Sequence, residues 1–188
     1  MNRKTIVLAL STAFIGLSSV SVAAPTQGNL NFTFSGNIPA LPSDGGNWSF
    51  VQADGTTAYV APSSISLSSR DTADGVQLTS ASETFYIKPD SGNFTESSKI
   101  TATLTAEPTI SGTAVKAGSA GTVDVVVTIN GTMVPVATTA DVATPTGSEA
   151  TRLSLGTVID IPTAARTDGG GVLTVSVPIR FAADITAG

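Results

Sequence analysis

The sequence predicts an all-β sandwich. Every periodic stretch repeats at two rather than at 3.6, β-branched residues fill those stretches, and turn residues separate them at short intervals. Charged residues make up only 12% of the chain, and Thr, Ser, Ala, Val and Gly dominate, which suits strands with small-residue surfaces. No stretch carries a convincing helical period.

The chain opens with Arg3 and Lys4, an apolar run from Ile6 to Leu17, and Ser21-Val22-Ala23. That is the basic, hydrophobic and small-residue layout of a secretory signal peptide, so residues 1–23 are read as removed after Ala23. The run is too short for a membrane span, and no later stretch is continuous enough to be one.

The first strand of the mature chain follows. Leu30, Phe32, Phe34, Gly36 and Ile38 fall on one side of an extended chain, and Asn29, Asn31, Thr33, Ser35 and Asn37 on the other. It has no hairpin partner before it and a Pro/Gly-rich break from Pro39 to Gly46 after it, so nothing local tells it where to pair.

Asn47 to Gln52 carries the only Trp, Trp48, beside Phe50, and Asp54-Gly55 marks a turn before Ala58-Tyr59-Val60. Short strands are expected at Ile65 with Leu67, at Val76 with Leu78, and at Phe85 with Ile87. Ile100, Ala102, Leu104 and Ala106 alternate with threonines and are expected to stop at Pro108. Val123, Val125, Val127 and Ile129 run to Asn130-Gly131, and Met133, Val134 and Val136 return. Asn-Gly suits a type I′ hairpin because both residues take positive φ at low cost. Ala140 to Ala150 reads as a loop, and Leu153-Ser154-Leu155 with Val158 to Ile161 as one bent or bulged strand broken at Gly156. After the Asp168-Gly169-Gly170-Gly171 joint, Leu173, Val175, Val177, Ile179 and Phe181 share one face in the longest period-two run of the chain.

Composition excludes several functions. Without Arg3 and Lys4, seven cations stand against fourteen carboxylates, with no basic run to track a phosphate backbone, so nucleic acid is not an expected partner. There is no Cys and no His, which removes disulfides, the thiol nucleophile, the usual general base and the usual transition-metal ligands. The carboxylates are scattered and no pair has a spacing that fixes mutual geometry, so no enzyme, cofactor or metal is expected. Asp71 to Gly75 could offer oxygens to calcium, but such a string is more often a turn. Sequons begin at Asn31, Asn47, Asn93 and Asn130, as chance supplies in a Thr-rich chain. Trp48, Phe50 and Tyr59 could stack a sugar, though a lone Trp belongs more often to a core or a subunit contact. Arg70, Arg152, Arg166 and Arg180 are isolated cations.

The order of these pieces resembles the alternate chaperone-usher pilins of the colonisation-factor antigen type, cysteine-free major subunits of thin fimbriae. Asn31, Phe32, Phe34, Gly36 and Ile38, with Pro39 after them, are similar to that family's N-terminal donor segment. Phe50-Val51-Gln52-Ala53-Asp54-Gly55 resembles its apolar pair followed by Gln-Ala-Asp-Gly, and Pro62-Ser63-Ser64-Ile65-Ser66-Leu67 its Pro-Ser-x-aliphatic-x-Leu strand. Lys99 to Pro108, the hairpin at Gly131 and the Gly-led last strand from Gly171 occupy matching places. Leu41 to Trp48 departs as an insertion, Pro178 interrupts the last strand, and Ala182 to Gly188 extends beyond the usual end.

The resemblance implies an incomplete immunoglobulin-like β-sandwich over residues 39–188, lacking its final strand and completed by residues 24–38 of a neighbouring copy. Leu30, Phe32, Phe34, Gly36 and Ile38 would be the donor, and Leu173, Val175, Val177, Ile179 and Phe181 the acceptor rim or chaperone contact. The implied partners are further copies in a filament, a periplasmic chaperone, an outer-membrane usher and a tip adhesin, with export through the periplasm to a fimbria that adheres to host or abiotic surfaces. The alternative is a monomeric secreted β-sandwich that binds carbohydrate or another surface ligand.

Overall fold

The computed structural model describes residues 47–184, and the expected signal peptide and donor segment lie outside them. The described chain is all-β and consistent with a β-sandwich. Its strands are β1 (Trp48–Val51), β2 (Leu67–Asp71), β3 (Gly75–Ser80), β4 (Glu83–Pro89), β5 (Ile100–Leu104), β6 (Thr109–Gly112), β7 (Asp124–Ile129), β8 (Thr132–Met133), β9 (Ala140–Ala143), β10 (Thr151–Pro162), β11 (Leu173–Ser176) and β12 (Ile179–Ala183). Among the described residues the helical turns are two short 3-10 pieces, Ala120–Thr122 and Thr163–Ala165.

The long strand β10 organises the larger sheet. One edge of it pairs antiparallel with β4 and β3, which follow each other along that edge; the other pairs with β7. Outside β4 lies β1, outside β3 lies β2, and β8 is the return of the β7 hairpin. A second set of strands comprises β12-β5-β9 and β11-β6.

Side chains from both sets meet in one core, including Trp48, Phe85, Ile87, Val127, Ile129 and Leu153 from the larger sheet and Ile100, Ala102, Leu104 and Val142 from the second. A smaller cluster around Ile159, Ile161 and Ala165 takes Leu173 and Val175 against it. Alternation puts these residues inward and leaves Ser, Thr and charged residues outward, which is how a Thr-rich chain of low charge builds a core from short strands.

Three expectations are corrected. β10 is not broken at Gly156, which pairs with Thr128 inside a continuous strand. The irregularity is in the partner: between the Leu155–Glu83 and Val158–Thr79 pairs, Gly156 and Thr157 face Ser80, Ala81 and Ser82, a bulge held by the Thr157 N–H donating to Ser80 Oγ at 2.8 Å. Ala140–Ala143 is not loop but β9, whose Val142 is buried. β5 has ended before Pro108, as expected, and β6 follows and pairs with β11. Finally, the terminal run is two strands: β11 pairs with β6 and β12 with β5, the change falling at Val177-Pro178.

The Asn130-Gly131 hairpin forms as expected, with φ of 51° and 80°. Its return strand β8 is only two residues long, because the chain then crosses so that Val136 bridges Leu104 of the second set. The Asn130 side chain accepts from the Ser154 N–H at 2.9 Å and donates to the Val142 carbonyl at 3.0 Å, tying the turn to β10 and β9.

Candidate strand-acceptor edge

An unpaired strand edge is a row of backbone donors and acceptors, and folded chains guard such rows. This chain guards several of its edges. Beyond Leu67, β2 is polar and ends in Arg70 and Asp71. β8 is two residues long. The outer edge of β1 is covered from Phe50 onward, because the chain doubles back and the Tyr59 N–H donates to the Phe50 carbonyl at 2.9 Å.

That doubling back explains why Gln52-Ala53-Asp54-Gly55 has the residues it has. The Gln52 N–H donates to the Thr57 carbonyl at 2.8 Å and the Gly55 N–H to the Gln52 carbonyl at 2.9 Å, with Gly55 at φ 66°. Asp54 Oδ1 accepts from the N–H groups of Thr56 and Thr57, both at 2.9 Å, and Oδ2 accepts from the Thr57 hydroxyl. These bonds, the Thr57 hydroxyl first, hold the Asp54 carboxyl down at about 2.

The edge formed by β11 and β12 is different. In an antiparallel pair, alternate residues direct both backbone groups to the same neighbour. Thr105 N–H donates to the Pro178 carbonyl and Asp184 N–H to the Lys99 carbonyl, so 178, 180, 182 and 184 face β5. On the β11 side, Thr113 N–H donates to the Val172 carbonyl, so 172, 174 and 176 face β6. The odd-numbered residues, Leu173, Val175, Val177, Ile179, Phe181 and Ala183, therefore direct their N–H and C=O groups to the outer edge. The phase is unchanged where the run passes from β6 to β5. No strand pairs with this edge among the described residues.

Pro178 fits this arrangement. It sits in the inward phase at the handover between β6 and β5, so its missing N–H takes nothing from the outer row.

The same odd-numbered residues turn their side chains to the core, and all six are only partly buried. At the β11 end, Leu173 and Val175 join Leu67, Leu78, Val115 and Val123. At the β12 end, Val177, Ile179 and Phe181 pack against the main core, where the Phe181 ring meets those of Phe50 and Phe85. The five residues Leu173, Val175, Val177, Ile179 and Phe181, which periodicity puts on one face and the resemblance implies as an acceptor rim, thus lie along one edge. Leu30, Phe32, Phe34, Gly36 and Ile38 lie outside the described residues.

Sequence reasoning missed two parts of this region. Tyr59 donates its hydroxyl to Glu83 Oε1 at 2.8 Å beside the Phe85 ring; burial, then the Glu83 hydrogen bond and charge, push the phenol above its ordinary range. It also missed β6, which backs β11. There Gly112, at φ 118°, and Gly171, at φ 152°, bring two backbones into close approach, and a Cβ on Gly171 would stand 2.3 Å from Thr113 Oγ1. The glycine run before the last strand was the available signal. Trp48 is 5% exposed, and Phe50 and Tyr59 pack against the same core, so the favoured reading of Trp48 as a core residue holds over the sugar-stacking one.

No protein-family model matches the chain, and a search of curated proteins returns no match.

Proposed function

We propose that the protein is a structural subunit of a surface fimbria that polymerises by donor-strand exchange. The observation that carries the reading is the β11–β12 edge: six residues in one phase, apolar side chains inward, and no strand partner among the described residues. A long, apolar-faced edge of this kind is suited to receive a strand.

Strand order supports an immunoglobulin-like plan that lacks its last strand. The larger sheet runs β1/β2, β3/β4, β10, β7, and the second set runs β11/β12, β6/β5, with β9 added outside β5. These are the neighbours A-B-E-D and F-C of a seven-stranded immunoglobulin-like sandwich, and the place of strand G falls on the outer edge of β11–β12.

The proposed occupant is residues 24–38 of the next copy, whose Leu30, Phe32, Phe34, Gly36 and Ile38 alternate with polar residues as a strand buried on one face requires. Each phenylalanine buried would contribute roughly 1.5–3 kcal/mol. A contact between two different surfaces of one chain does not close on itself, so it grows a filament. Export through the periplasm, a periplasmic chaperone that shields the edge and an outer-membrane usher that replaces it belong to the same proposal.

The test uses mature chain, residues 24–188, followed by sedimentation and electron microscopy. Filaments are expected, with growth capped by excess free peptide 24–38 and abolished by Phe34→Asp. A stable monomer indifferent to the peptide would overturn the reading.

A further inference from the structure

The outer face of the larger sheet carries a second feature. With Trp48, Phe50, Tyr59, Phe85, Phe94 and Phe181 committed to the core, Tyr86 is the one aromatic side chain outside it among the described residues. Its strand alternates cleanly: Phe85 and Ile87 are buried, while Thr84, Tyr86 and Lys88 face the other way. Arg152 lies directly opposite Tyr86 on β10, and Val51 directly opposite on β1.

Two cations flank Tyr86 on this face, Arg152 opposite it and Lys88 two residues on, although Arg70, Lys116 and Arg180 also form no ion pair among the described residues. Lys99 pairs with Asp141 and Arg166 with Asp71, but neither Lys88 nor Arg152 meets a carboxylate at ion-pair distance among the described residues. Arg152 Nη2 rests 3.4 Å from Thr84 Oγ1, and Lys88 Nζ donates to the Gly55 carbonyl at 2.9 Å. Both cations are thus steadied by neutral oxygens beside one phenol ring, in a chain with an excess of carboxylates. Ser49 and Ser154 add hydroxyls on the flanking strands; the carboxylate next along, Asp90, accepts from the Ser49 hydroxyl.

We propose that Tyr86, Arg152 and Lys88 form a binding site for an acidic saccharide, a sugar bearing a carboxylate or a sulfate. The ring offers a flat apolar surface with a polar tip to a sugar face. The guanidinium fork suits a planar or tetrahedral anion, and the ammonium adds a second charge. An open sheet face holds such a ligand weakly in one copy. Repetition along a filament multiplies weak sites into firm attachment, a gain that rests on the polymer reading above.

The experiment is saturation-transfer NMR on the mature chain, with sialyllactose for the carboxylate, lactose sulfate for the sulfate, and lactose as the neutral control. Transfer to an acidic sugar and none to lactose is expected, with the two acidic probes telling carboxylate from sulfate. Arg152→Gln and Tyr86→Leu should each weaken binding about tenfold or more, the size of one charge-assisted contact. Arg180→Gln, a cation on the second set of strands, should change nothing, and added salt should weaken binding. Equal response to lactose, or binding unmoved in both variants, overturns the site. Filaments without sugar binding would sink this site alone, and sugar binding by a chain that never polymerises would sink only the filament reading.

Discussion

Phe50 in β1 and Phe181 in β12 meet edge to face across the two sets of strands, with ring centroids 5.5 Å apart and planes at 78°. Both rings also reach Phe85, at 5.9 and 5.5 Å. The pair therefore fastens β12 to the opposite sheet. Phe181→Ala should cost about 2–3 kcal/mol in urea unfolding of the mature chain. The Phe50–Phe181 double-mutant cycle should return a coupling of about 0.5–1.5 kcal/mol. A coupling near zero would mean that the rings touch without holding the edge.

Amide exchange reads the edge residue by residue. The N–H groups of Arg180 and Ala182 face β5 and should be protected whatever the state of assembly. Those of Val175, Val177, Ile179 and Phe181 face outward and should gain protection only when a strand is seated, so the filament should remove an alternation that the edge shows without a donor. Protection of every residue before any donor is added would contradict the proposed acceptor.

Asp54 makes acid stability a test of the Gln-Ala-Asp-Gly turn. Its folded value, about 2, lies below its ordinary 3.8, so between these values the unfolded chain binds the proton more readily. Its contribution is present above about pH 4 and is lost as pH falls toward 2. Asp54→Ala should flatten the stability profile in that window and leave its shape near neutrality unchanged, as chemical denaturation at a series of pH values would show.

Asp124 and Asp160 stand directly opposite each other on the outer faces of β7 and β10. Gln77 donates to Asp160 at 3.0 Å and accepts from Arg70 at 2.9 Å, a polar row that ends on the like-charged pair. Asp124→Lys should stabilise the domain by about 0.2–1 kcal/mol, with the gain shrinking in salt.

Gly171→Ala should destabilise by more than the ordinary glycine-to-alanine difference of about 1 kcal/mol. A Cβ there would press on Thr113 Oγ1 at 2.3 Å and the Thr113 carbonyl carbon at 2.7 Å, in a conformation side chains avoid. Gly118→Ala, with open space around its Cβ position but the same left-handed demand, separates strain from contact.

Long alternating runs were legible in the sequence: β3, β4, β5, β7 and the inward face of β11–β12 follow from period two, and the I′ turn from Asn130-Gly131. Short strands of small residues were not. Ala140–Ala143 and Thr109–Gly112 carry too little apolar contrast to show a period, and they are strands because β5 and β11 stand beside them. Gly156 looked like a break because glycine usually marks one, yet the extra residue sits at Ser80–Ser82, where no glycine advertises it. The switch of partner at Pro178 was hidden for another reason. The side-chain phase runs straight through it, and periodicity sees phase but not neighbours.

The unchanged phase of the β11–β12 edge also bears on mechanics. A strand lying along that edge and pulled from its ends would be loaded in shear, with its whole row of backbone bonds sharing the force at once rather than parting one at a time. Had the run reversed its outward face at Pro178, the row would have been two short ones, and a tug would have peeled the first before straining the second.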